Sequence, residues 1–514
     1  MSLYFSKSKF VSACTSCNKY AWLDLNKPEE KSPVDEFAQS LIESGHKVGE
    51  LAKEYFNADV DVTFLKQSGS PDLDKMIYET EIHLKLGTKV IAEASFNFGG
   101  LFCSVDLLVN NGGGKYSIYE VKSSTNEKPT KKDPIGVKDE HKLDAAYQKY
   151  VLENCGVTID KVYVVLLDRD YVRGKMLELD KYFKICDITE EADALQKYVA
   201  DKIAELRSVI SEVDEPKTEF IKNCNGCSYW SYCSEGKKSP SPFDVYNLDF
   251  SEKCKLYNEG VSFFDVPKYA KKIKTAALRQ IEYYNRPNDA YIEKDRIKEF
   301  LDELIYPVYS LDFETYQAVV PEYEGIKTYE QVPFQYSLHI VKKPDADIGE
   351  GSSDIEDHHF LDLSGADTRR AIAESLVKNI PYGAQVMAYH ESTERNIVAR
   401  LAAYCPDLSD HLLSFTYKDP LKIFSGGSYY VKAMGKKFSL KSVAPALYPE
   451  DKDMNYLNLE GDVKNGTQAM NAYLKAKDLT EKEREQLSTD LEKYCALDTL
   501  AVVKILKKLY EVSI

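Results

Sequence analysis

Residues 90 to 124 constrain this chain more than any other stretch. Two alternating apolar segments, VIAEASF and LFCSVDLLV, are followed by NNGGGK and then YSIYEVKSS. Period-two alternation marks strands, and the glycine-rich turn joins the last two as an antiparallel hairpin. On YSIYEVKSS, Glu120 and Lys122 are two apart and share a face, leaving the other to Tyr119 and Val121. The turn centred on Gly112 and Gly113 returns Asp106 of the first strand toward Glu120.

The surroundings predict an α/β module. Residues 35 to 56 carry a helical pattern, a helix is expected from about Asp139 to Glu153, KVYVVLLD reads as a strand, and Glu190 to Val213 as a long helix. The Ser-, Pro- and Lys-rich run EGKKSPSPFD, residues 235 to 244, marks a boundary. Beyond it residues 250 to 305 are mostly helical. From VYSLDFET strands and helices alternate, ending in a helix from Glu481 to Tyr510. The expected division is 1–238, a helical linker 239–303, and 304–514, because 514 residues exceed one compact core.

Composition narrows the class. The chain is 43% hydrophobic and 29% charged, typical of soluble globular proteins. Its start does not resemble a signal peptide, and no apolar run approaches the roughly 18 residues that span a bilayer. The expectation is a cytoplasmic protein without membrane partners. A net charge of −16 does not advertise nucleic-acid binding. Enzymes that cut phosphodiesters nevertheless concentrate carboxylates to hold Mg²⁺ or Mn²⁺.

Three groups of residues suit such chemistry. Asp106 and Glu120 with Lys122 would hold a divalent ion and orient water, although an ion pair on an exposed strand would leave the same trace. In VYSLDFETYQ, Asp312 and Glu314 share a strand face; in KYCALDTLAVVKIL, Tyr494 and Asp498 share a helix face; AYHESTERNIVARLAAY turns from strand to helix near Glu394. Four acids from three segments would converge on two ions, whereas each taken singly is an ordinary strand end or helix face. Third, eleven cysteines form no secreted disulfide framework, but Cys224, Cys227 and Cys233 are spaced C-x2-C-x5-C in FIKNCNGCSYWSYC. Most metal sites take four ligands, and the N-terminal segment offers Cys14 and Cys17.

Two basic runs would contact phosphates. One is NEKPTKKDPIGVKDEHK, with Lys128, Lys131, Lys132 and Lys138; the other is KYAKKIKTAALRQIEYYN at 268 to 285. A solvated loop and an amphipathic linker are their plainer readings.

Asp106, Glu120 and Lys122 resemble the PD-(D/E)xK nuclease superfamily, in its RecB-like branch. The likeness extends to His46 in SGHKVGELAKEYF and to Gln148 and Tyr150 in AAYQKYVLENCG. It implies a restriction-endonuclease-like module in which His46 joins the metal shell and Gln148 and Tyr150 support the site and contact substrate. Glu93, on the preceding strand, is a further candidate. The cysteine spacing is similar to RecB-like nucleases closed by a [4Fe-4S] cluster, with one N-terminal ligand. The run CNKYAWL favours Cys17 for that role, with Cys14 the fallback and four-cysteine zinc the competing metal.

The order Asp312-x-Glu314, Glu394, then Tyr494-x3-Asp498 resembles the tyrosine-bearing DEDD exonucleases, of RNase H-like fold. There the carboxylates hold two metals and the tyrosine orients water. The departure is His390-x3-Glu394 where Asn-x3-Asp is usual. SKSKF, PFQYSLH and KFSLKSVAPALYP resemble a bacterial family of uncharacterised proteins fusing the two modules. The implied activity is metal-dependent cleavage of DNA ends, single-stranded by preference, in repair or defence. A non-catalytic iron-sulfur protein that binds nucleic acid or a partner is the alternative.

Overall fold

The computed structural model describes residues 5–131, 133–286, 288–349 and 351–514. The chain divides into two units of mixed α/β class: Met1–Gly236 with Ala318–Glu330, and Lys237–Gln317 with Gln331–Ile514. Two expectations change. The segment 239–303, expected as a helical linker, is part of the second unit: residues 290–292 pair with 429–431, and Gln280 Nε2 donates to the Gly435 carbonyl at 3.3 Å. Residues 318–330 group with the first unit, where Val319 and Val320 join a core and the Tyr182 hydroxyl donates to the Val319 carbonyl at 2.9 Å.

The first unit is built on a seven-stranded sheet of β1 (Phe5–Ser6), β2 (Val60–Asp61), β3 (Val90–Phe98), β4 (Leu101–Gly112), β5 (Lys115–Thr125), β6 (Thr158–Leu167) and β7 (Phe183–Asp187). The order is β2-β3-β4-β5-β6-β7, with β1 parallel to β4. The expected hairpin forms between β4 and β5, with Leu107 opposite Tyr119 and Leu108 opposite Ile118. Gly112, Gly113 and Gly114 all adopt positive φ, which side chains with a Cβ resist, so the turn closes without strain. Extending the register by one residue sets Asp106 opposite Glu120. The strands β5 and β6 run parallel, joined by the buried helix Asp139–Asn154, which packs on β6 and on helix Thr189–Ile210. One face of the sheet buries Ile118, Val164, Tyr147 and Phe10, the other Leu107, Val165 and Tyr182.

The second unit contains β8 (Ala290–Ile292), β9 (Val308–Tyr316), β10 (Val332–Val341), β11 (Ile355–Leu361), β12 (Gln385–Met387), β13 (Thr416–Lys418) and β14 (Tyr429–Val431). Five strands pair in the order β11-β10-β9-β12-β13, antiparallel among β9, β10 and β11 and parallel from β9 through β12 to β13; β8 and β14 pair separately. Every residue of β10 is buried, as befits the second strand of a sheet covered on both faces. The helix Glu481–Ser513 packs across β9 and β10, and its start is set by a capping box in which Thr480 and Glu483 each satisfy the other's backbone N–H. Among the described residues, no helix is long and apolar enough to cross a membrane.

Candidate metal centres

In the first unit β4, β5 and helix Asp139–Asn154 bring charged side chains into the sheet's interior. Glu120 is 1% exposed and receives three donors: its Oε1 accepts from Lys122 Nζ at 2.7 Å and from Lys7 Nζ at 2.8 Å, and its Oε2 from Gln148 Nε2 at 2.6 Å. Lys122 also donates to Asp144 Oδ2 at 2.5 Å, and Gln148 to Asp144 Oδ1 at 3.0 Å. Asp106 Oδ2 accepts the Val121 N–H at 2.6 Å.

These partners push the acids apart. Burial, with the Glu120 charge beside it, raises the Asp106 pKa to about 8. Burial also raises Glu120, but Lys122 and Lys7 outweigh it and hold that carboxyl well below the usual range. Asp144 is shifted up, first by burial and then by Glu120. Glu93 stands on β3 between Ala92, paired with Leu107, and Ala94, paired with Val105, and so faces Asp106 across the strands. Its φ of 58° is a left-handed conformation that costs a glutamate about 1–3 kcal/mol, a strain stored beside the carboxylates.

Other expected members lie elsewhere. His46 is exposed on helix Glu36–Tyr55, whose buried residues are Val48 and Ala52, and no hydrogen bond or ion pair joins it to Asp106 or Glu120. His141 is the histidine coupled to Lys122 and Glu120, its pKa lowered to about 4 by burial and then by Lys122. Two residues beyond Gln148 on the helix, Tyr150 packs against the apolar core instead of facing Glu120. Lys128 and Lys131 are exposed, Lys138 is half-buried 3.8 Å from Glu140, and Lys132 lies outside the described residues.

In the second unit Asp312 and Glu314 project from β9 toward helix Glu481–Ser513. Ligand atoms of Asp312, Glu314 and Cys495 lie within 4.8 Å of one another, the one such group of three among the described residues. Asp498 is also buried, its Oδ1 accepting the Tyr456 hydroxyl and its carboxylate a bond from Tyr494. Glu394, at the head of helix Ser392–Tyr404, is 4% exposed, and its Oε2 is buried without a hydrogen-bond partner. Burial and then Asp498 raise Glu314 to about 8; burial, with Asp419, Glu391 and Asp498, raises Glu394 to about 8. Asp312 is pushed well up by burial and by Asp498, Glu314 and Glu394. The four acids therefore share one electrostatic site, within which Asp312 and Glu314 stand at ligand spacing with Cys495. His390 is exposed on the preceding turn, with φ 70°.

The buried acids are offset by Lys441, whose Nζ donates to the Tyr494 hydroxyl at 3.0 Å. Buried acids with one lysine, an orphan carboxylate oxygen and a nearby thiol make a donor set suited to divalent cations.

Cys17 caps helix Asn18–Asn26 and packs with Cys227 and Cys233 around Tyr20, Trp22, Leu23 and Tyr229. Burial, with Cys227, Cys17 and Cys224 beside it, raises the thiol of Cys233 to about 11 against the lowering effect of Lys19. Cys14 is raised to about 11 by burial, and its neighbours are Lys202, Tyr198 and Glu205 rather than other thiols. The thiol centre thus gathers Cys17, Cys224, Cys227 and Cys233 and leaves Cys14 out. Backbone N–H groups of Ile221 and Tyr229 donate to Cys224 and Cys227. Four converging thiols with N–H donors suit a thiolate-bound metal.

Lys7, Asp144, Lys441, Tyr456 and Cys495 escaped the reading of the sequence. Asp144 had a signal, four residues before Gln148 on the same helix face. Cys495 lies between Tyr494 and Asp498. Lys7, Lys441 and Tyr456 had no local pattern, because each reaches its site only through long-range packing.

The family described as a domain of unknown function (DUF2779) matches residues 309–439. That span carries Asp312, Glu314 and Glu394 and ends before Lys441, Tyr494 and Asp498. No curated protein and no solved structure matches the chain.

Proposed function

We propose that this chain is a divalent-metal-dependent nuclease that processes DNA ends, with an iron-sulfur PD-(D/E)xK-like first unit and an RNase H-like, DEDD-type second unit. The observation that carries the reading is the buried convergence of Asp312, Glu314, Glu394 and Asp498, drawn from separated segments and facing one lysine. Burying like charges is unfavourable unless a cation compensates them. A divalent ion held by Asp312 and Glu314 would supply Lewis-acid stabilisation of the phosphate and lower the pKa of water.

The chain's own residues do the rest. Tyr494 keeps its proton, because burial and the neighbouring acids drive its pKa far up; with that proton given to Asp498, its oxygen would orient a water as an acceptor. Lys441 fixes that phenol. In the first site Lys122, 2.7 Å from Glu120, is placed to stabilise the charge that develops on a phosphate. Asp106 and Glu120 would hold its ion. The thiol centre would hold a [4Fe-4S] cluster.

The test is degradation of end-labelled single- and double-stranded DNA and of RNA, with Mn²⁺ and with EDTA, by wild type, Lys122→Ala and Asp312→Ala. Cleavage lost in one variant assigns that half; cleavage independent of both overturns the reading. A second reading, a non-catalytic iron-sulfur protein that binds nucleic acid, draws on Glu120, whose oxygens are satisfied by Lys7, Lys122 and Gln148 without a metal.

A further inference from the structure

Lys7 opens helix Lys7–Thr15, nine residues long and about 13 Å from end to end. At its near end the ammonium enters the first carboxylate site, 2.8 Å from Glu120 and 3.8 Å from Asp144. Only Ser16 separates its far end from Cys17, and Asn223, the neighbour of Cys224, donates to the Thr15 carbonyl. Between the two ends Phe10 is fully buried and stacks on Tyr147 at 4.7 Å, while the Tyr147 hydroxyl donates to the Phe5 carbonyl at 2.7 Å. The helix is therefore a short strut with a carboxylate site at one end and the thiol centre at the other.

An ammonium on a lysine stem has several rotatable bonds, so the place of the Lys7 ammonium is set both by its ion pairs to Glu120 and Asp144 and by what fixes its backbone. Strand β1 is two residues long, and it fixes the start of the helix through its pairing with β4 and the buried Phe5. Phe5, Phe10 and Ala13 anchor the helix in the core, and Asn223 of the cysteine loop holds its C-terminus.

We propose that Lys7 is a positioning residue of the first site, holding Glu120 and Asp144 in place, and that its own placement depends on the thiol centre clamping the other end of its helix. The assignment rests on the nuclease reading for its catalytic consequence but not for its structural one. It makes the thiol centre part of the geometry of the reaction: losing the centre releases the strut, and the carboxylates lose one of their two cations.

The experiment joins hydrogen exchange to kinetics on the full chain. Cys227→Ser is expected to raise amide exchange across residues 7–15 by about tenfold or more, with β6 unchanged. Lys7→Met is expected to raise exchange in β5 and in the first half of helix 139–154, and Lys7→Arg to restore it; Lys7→Gln replaces Lys7→Met should that variant not fold. First-site cleavage, defined as the part lost in Glu120→Gln, should fall about 10- to 100-fold in Lys7→Met and recover in part in Lys7→Arg. In the double variant Cys227→Ser should add less than about twofold to the loss from Lys7→Met, because both act through one contact. Unchanged exchange in residues 7–15 on losing Cys227, unchanged exchange in β5 on losing Lys7, or fully additive kinetic losses would each overturn the proposal. Absence of any Glu120-dependent cleavage in wild type would instead defeat the nuclease reading, while the exchange data still decide the strut.

Discussion

The ammonium of Lys441 sits between two phenol rings, 4.7 Å from the centre of Tyr494 and 4.9 Å from that of Tyr456, and donates to the Tyr494 hydroxyl at 3.0 Å. Tyr456 in turn donates to Asp498. One lysine and two tyrosines thus link residues from three separate segments around the second carboxylate site. Removing the Tyr494 hydroxyl with Tyr494→Phe should lower second-site cleavage about 100-fold, and Lys441→Met should do the same by releasing the phenol. Single-turnover rates, with Lys122→Ala present to silence the first site, measure both.

The raised acids make the stability of the metal-free protein depend on pH. Glu314 and Glu394 have pKa values of about 8 when folded, against an ordinary glutamate value near 4.3. Between those limits the folded state binds more protons than the unfolded state. The stability these two groups contribute is therefore fully present below about pH 4 and is lost as pH rises toward 8. Melting temperature in EDTA should decline across that window, about 2–4 °C for each kcal/mol lost, and Glu314→Gln should flatten the decline. Added Mn²⁺ should restore the loss at the alkaline end, about 2.7 kcal/mol at one hundred times its dissociation constant.

In the first site, Lys122→Met should reduce cleavage about 10²- to 10³-fold while the protein still folds. Lys7 remains 2.8 Å from Glu120 in that variant, so the buried carboxylate keeps one cation. Glu120→Ala is the harsher change, since it leaves two ammoniums with Asp144 alone between them, and should cost about 3–5 kcal/mol. Comparing denaturant midpoints and rates separates the two effects.

Metal content should distinguish the cysteines. Protein purified without oxygen should contain iron and labile sulfide and absorb visible light. Cys17→Ser should lose that signal, whereas Cys14→Ser should keep it, because Cys14 faces Lys202, Tyr198 and Glu205.

Gly136 closes the lysine-bearing loop after β5: its φ is 72°, its carbonyl accepts the Glu127 N–H at 2.9 Å, and a Cβ there would meet the Glu127 carbonyl oxygen at 2.5 Å. Backbone cannot swing aside as a flexible side chain would. Gly136→Ala should destabilise the first unit by about 1–3 kcal/mol, read by chemical denaturation.

Local pattern alone determined the hairpin of β4 and β5, the helices near 36–55, 139–154 and 189–210, and the long C-terminal helix, because periodicity and turn chemistry act over a few residues. It also placed Asp106 with Glu120, since a hairpin of fixed register leaves no other choice, and Asp312 with Glu314, which share a strand face. Tertiary structure decided what lies far apart in the chain. It packed Cys17 beside Cys227 and Cys233, drew 239–303 into the second unit, and turned His46 outward on a helix whose buried stripe runs through Val48 and Ala52. Lys7, Lys441 and Tyr456 reach their carboxylates through packing between distant segments. Such contacts follow from which apolar faces bury against one another, and no short window of sequence contains both partners.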